Sequence, residues 1–124
     1  MTRVAPSGEV TVELAPDPRS GQVARAAVDD LADALRPETM AKVRLLVTEM
    51  VVAALVQAQT TPLRLTVSAV EGLVRAELVP ADGSAALAGP LRPRSWNLFL
   101  VNRIADRWQA EPGALWFEVK ERGR

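Results

Sequence analysis

Glu49 stands inside a largely apolar stretch, Leu45 to Val56, with Ala53 four residues beyond it. A carboxylate among apolar side chains can serve as a general base, or it can simply bond a backbone group or water. A second carboxylate, Asp82, precedes Gly83 in a segment rich in proline, glycine, alanine and serine. Arg92 and Arg94 lead into a predicted helix start, where exposed N–H groups favour an anion, although loop arginines are more often simply solvated. Trp96 follows, placed either to fill a pocket or to anchor a partner. The chain has no cysteine and no histidine. That excludes disulfides, thiolate chemistry, ordinary zinc sites and histidine acid–base catalysis.

The 124 residues suit one domain, and 48% of them are hydrophobic, enough for a substantial core. Lysine plus arginine number 15 and aspartate plus glutamate 15. Zero net charge argues against a phosphate-driven nucleic-acid binder. The longest apolar runs, such as Met50 to Val56, are far below a membrane span, and the first residues lack an apolar signal core. The expectation is a cytoplasmic protein with no membrane or nucleic-acid partner.

The elements that must hold these residues follow from periodicity. After a lead-in over 1–8, Val10, Val12 and Leu14 alternate with Thr11 and Glu13, which predicts a strand ended by Pro16 and Pro18. Val23, Ala27, Leu31 and Leu35 predict a first helix from about Pro18 or Arg19 to Leu35. A second runs from about Glu38 to Ala58, with Val43, Leu46, Val47, Met50, Ala54 and Ala58 on one side and Leu45, Val52 and Val56 on nearly the opposite side. A helix apolar on two sides lies between two layers or lines a cavity. Leu63 to Ala69 and Leu73 to Val79 alternate as strands around Glu71-Gly72. A loop over Pro80–Pro93, a third helix over Arg94–Trp108 with Phe99 and Trp108 in the core, and a strand through Leu115, Phe117 and Val119 complete the chain. The fold class expected is α/β (α+β): a two-layer sandwich with a mixed, mostly antiparallel sheet on three helices, one domain over 9–121 and a tail over 122–124.

Val12-Glu13-Leu14-Ala15-Pro16-Asp17-Pro18 with Val23-Ala24-Arg25, then Leu46 to Ala54, Leu98 to Val101, Ala105 to Trp108 and Leu115 to Glu118 resemble, in order, the GHKL superfamily of histidine-kinase-like ATPases. The likeness is specifically to anti-sigma-factor serine/threonine kinases, whose ATP-binding domain has the Bergerat fold. It covers nearly the whole chain through short, mostly apolar motifs.

The resemblance implies that the second helix carries a catalytic glutamate and, four residues later, a magnesium-binding asparagine, since i and i+4 share a face. Glu49 keeps the first position and Ala53 has lost the second; a methyl group offers no oxygen to a hard cation. The family's adenine-reading aspartate falls on Pro80, or on Asp82-Gly83 if the register shifts by two. Its glycine pair before the third helix falls on Ser95 and Asn97, with bulky Trp96 between them. Each lost polar contact is worth about 1.5–3 kcal/mol, and a total of about 4–8 kcal/mol takes a micromolar site to the millimolar range or beyond. The expectation is therefore a regulatory protein-interaction module with a degenerate ATP site. It would need no metal or cofactor, and its partner would be a sigma factor or an anti-sigma antagonist; a homodimer is compatible. The alternative is a divergent ATP-dependent serine/threonine protein kinase that uses ATP and Mg²⁺, with Glu49 as base and Asp82 on adenine. The vacated pocket is expected to be filled by Leu87, Leu91 or Trp96, or else to form a partner groove.

Overall fold

Seven alternating residues, Gly8–Leu14, form β1, and their partners in β2, Leu63–Val70, follow one to one from Gly8↔Ala69 to Leu14↔Leu63. The computed structural model describes residues 8–58, 60–84, 98–111 and 113–122. Between β1 and β2 lie α1, Ser20–Asp29, a 3-10 turn at Ala32–Ala34, and α2, Pro37–Ala58. Then come β3, Leu73–Pro80; α3, Leu98–Ile104; β4, Arg107–Glu111; and β5, Ala114–Lys120.

The five strands make one sheet in the order β1-β2-β3-β5-β4, antiparallel at every junction. The architecture is α+β, with α1 against β1 and α2 laid over β3 and β5. One sheet face carries the core: Leu63, Leu65, Val67, Val74, Ala76, Leu78, Leu115, Phe117 and Val119 are buried against Val43, Leu46, Val47, Met50 and Ala54 of α2. Burying a Val, Leu, Phe or Met side chain gains about 1.5–3 kcal/mol, so this seam fixes the position of α2 on the sheet.

Three expectations are corrected. The first helix is shorter than Pro18–Leu35: it ends at Asp29, and Leu31 and Leu35 reach the core from the 3-10 turn that follows. The third helix ends at Ile104 instead of Trp108, because the Asp106 N–H donates to Glu118 O at 2.9 Å and takes the chain into β4. The expected mixed sheet is antiparallel throughout the described strands. Without β4, a chain that reverses at each element returns β5 parallel to β3; the added strand turns β5 round.

β2 and β3 meet in a two-residue turn in which both Glu71 (φ 51) and Gly72 (φ 81) take positive φ. That is the geometry whose twist suits a tight hairpin. The helix-free face of the sheet carries a cross-strand row, Ser68, Arg75, Glu118 and Arg107. Glu118, nearly buried, accepts ion pairs from Arg75 and Arg107, each at 3.3 Å. The same two guanidiniums lie over the Trp116 ring, 4.3 and 5.6 Å from its centroid, and help to bury it on a face that has no helix.

Candidate functional site

Ala53 sits on the core side of α2 and is fully buried, whereas Glu49, one turn earlier, is half-buried. Glu49 has no hydrogen-bond or ion-pair partner among the described residues. Its neighbour Thr48 is satisfied within the helix pair: the Thr48 hydroxyl donates to Arg44 O at 2.8 Å and accepts from Arg25 Nη1 at 3.3 Å. The two residues assigned to a catalytic pair are thus split, with one carboxylate partly exposed and one methyl group sealed in the core.

Pro80 ends β3 opposite Leu63 and is buried. The chain turns directly after it: Ala81 N–H donates to Pro62 O at 2.9 Å and Gly83, at φ 70, donates to Pro80 O at 3.2 Å. Asp82 lies exposed on this turn, and its carboxylate accepts the Ser84 N–H at 2.9 Å. That backbone bond holds the Asp82 carboxyl below the usual aspartate range. Ser95, Trp96, Asn97, Arg92, Arg94, Leu87 and Leu91 lie outside the described residues, as does the filling of the pocket expected of them. No metal-sized group of three or more carboxylates occurs among the described residues, and no described helix is long and apolar enough to cross a membrane.

The second apolar face of α2 is open. Val52 is 50%, Val56 42% and Leu45 41% exposed, while Val43, Leu46, Val47 and Met50 on the opposite face are fully buried. Leu45, Glu49, Val52 and Val56 follow the i, i+4, i+7, i+11 spacing of a single helix face. At its end, Val52, Leu55 and Val56 line a surface hollow of about 380 Å³, closed on the other side by Pro16, Asp17 and Pro18. A second hollow of about 340 Å³ shares Asp17 and is lined also by Glu13, Ala15, Arg19, Ser20 and Val23. Neither is lined by Glu49, Ala53, Pro80 or Asp82.

Asp17 forms the wall between the hollows. Its carboxylate accepts the Arg19 N–H at 2.8 Å and pairs with the Arg19 guanidinium at 3.5 Å. The backbone bond, then the side-chain bond, holds its carboxyl below the usual range, so it is anionic at neutral pH. The Ser20 hydroxyl donates to Ala15 O and fixes the loop at the start of α1. In the sequence Pro16-Asp17-Pro18 marks the end of a strand and the approach to the first helix, with no binding role assigned to it. The available signal was the run of two prolines around an aspartate, which stiffens a loop and leaves its side chains displayed.

α3 corrects one aromatic assignment. Phe99 is 74% exposed instead of in the core, with the Arg103 guanidinium 5.7 Å from its ring centroid. Helix phase explains it: Val101 takes the buried side, and Phe99 falls with Asn102 and Arg103 on the exposed side. Trp108 is half-buried against the core, on β4 and not on the helix, and its indole N–H donates to Asn102 Oδ1 at 2.8 Å.

Among known proteins, no family model matches the chain and no curated sequence matches it.

Proposed function

We propose that this chain is a protein-interaction module: a histidine-kinase-like ATPase domain of Bergerat type whose nucleotide site has degenerated, acting as an anti-sigma-factor-like regulator in bacteria. The observation that carries the reading is the open apolar face of α2, where Leu45, Val52 and Val56 remain exposed beside a hollow walled by Pro16 and Pro18. Contiguous apolar surface left in water marks a contact site more often than a scattered leucine does. The exposed ring of Phe99 adds an aromatic anchor of the kind that dominates interfaces. Ala53 weighs against ATP chemistry, since the position from which an asparagine would hold Mg²⁺ carries a buried methyl group. By resemblance, the partner is a sigma factor or an anti-sigma antagonist.

The divergent kinase is the second reading, and what favours it is Glu49, half-exposed and without a partner among the described residues, as a base would be. Thermal melting separates the two. With ATP at about 1 mM and Mg²⁺, a ligand whose Kd equals its concentration adds about 0.4 kcal/mol, a rise in Tm of about 2–3 °C at most. The module reading predicts a shift no larger than that. A rise of about 10 °C would favour the kinase reading instead.

A further inference from the structure

β1 is an edge strand, and it lacks most of the devices by which proteins blunt an edge. Its seven residues pair with β2 one to one without a bulge, and Gly-Glu-Val-Thr-Val-Glu-Leu contains neither proline nor lysine. Among the described residues, none of residues 8–14 makes a hydrogen bond outward from the sheet. The opposite edge, β4, is shorter, with five residues, and its Trp108 is tied to Asn102.

The chemistry along β1 selects what it can accept. Glu9, Thr11 and Glu13 point to the helix-free face and are exposed, while Val10 and Val12, facing α1, are only half-buried and form an unfinished apolar shelf. The strand then runs into the hollow of about 340 Å³ lined by Glu13, Asp17, Arg19 and Val23. Glu13 already meets Arg64 at 3.1 Å, but both side chains are well exposed, so that pair is weak and can be shared. Self-pairing is disfavoured. The antiparallel register that uses the whole of Gly8–Leu14 centres on Thr11 and sets each Glu9 opposite a Glu13, and like charges directly opposed destabilise a strand pair.

We propose that the free edge of β1 binds an extended basic segment of a partner protein by strand addition, with apolar residues over Val10 and Val12 and lysine or arginine against Glu9 and Glu13. Main-chain hydrogen bonds supply the docking and the alternate side chains supply the selectivity. This rests on the interaction-module reading and extends it to a second surface; the melting experiment with ATP addresses that reading alone, so the two fail separately.

The test uses the full chain and two synthetic peptides, acetyl-Lys-Val-Thr-Val-Lys-Val-amide and the same peptide with both lysines replaced by glutamate. Binding is read by NMR titration together with amide exchange. The proposal expects the lysine peptide to bind at least tenfold more tightly than the glutamate peptide and to slow exchange across residues 8–14. The double variant Glu9→Lys/Glu13→Lys, its fold checked by circular dichroism, should reverse the preference. Equal affinities, no binding of the lysine peptide, or protection that appears at Val52–Val56 and not at β1 would each overturn it. So would a dimer in sedimentation whose interface protects β1.

Discussion

Ala53 is the residue on which the nucleotide question turns, because its methyl group is sealed at the position where the proposed family resemblance would put a metal-binding asparagine. Restoring the asparagine therefore does not restore a site. It places an amide in a packed core, at a cost of about 1–3 kcal/mol for unsatisfied polar atoms and about 1–3 kcal/mol for overpacking. Ala53→Asn should lose about 2–6 kcal/mol in urea denaturation and gain no response to ATP. A variant as stable as the parent would mean that position 53 opens on free space. That alanine stands where the resemblance implies a metal-binding asparagine was legible in the sequence; the burial of the position was not, because an alanine on a helix apolar on two sides carries no sign of which side it takes.

α2 is the element that joins fold to function. Its two apolar faces were readable from spacing, and the structure gives them opposite fates: Val43, Leu46, Val47 and Met50 build the core, while Leu45, Val52 and Val56 stay in water. If the open face serves binding and not folding, Val52→Lys should change stability by no more than about 0.5 kcal/mol, as for a surface substitution. Val47→Ala, which leaves a cavity in the core, should cost more than about 1 kcal/mol. Chemical denaturation of the two variants decides it; a Val52→Lys variant that loses more than Val47→Ala would place the second face in the core. β4 was missed for a reason that belongs to this scale. Leu98, Val101, Ile104, Ala105 and Trp108 keep helical spacing across the helix end, and a five-residue strand is too short to outweigh them. The counter-signal was present in Arg107, Gln109 and Glu111 alternating with Trp108 and Ala110 ahead of the Pro-Gly dipeptide in the sequence.

At the scale of the molecule, one face of the sheet is committed to the helices and the other is closed by its own side chains, with Trp116 under Arg75 and Arg107 and Glu118 between them. Among the described residues, the surfaces offered to a partner include the α2 face with its hollow, the exposed ring of Phe99 and the edge of β1, and Asp17 separates the two hollows. The alternating strands and the helix periods made the α+β layer order legible. The hollow of about 380 Å³ was not, because it arises where Pro16 and Pro18 meet Val52 and Val56 far away in sequence, a meeting that periodicity does not encode. The central claim is that this layer binds protein and has lost its nucleotide, and isothermal titration calorimetry with ATP and Mg²⁺ on the full chain tests the second half of it most directly. The account predicts no saturable heat up to about 1 mM ATP, the range to which the lost contacts move a micromolar site; a saturable isotherm with a micromolar Kd, abolished by removing Mg²⁺, would contradict it.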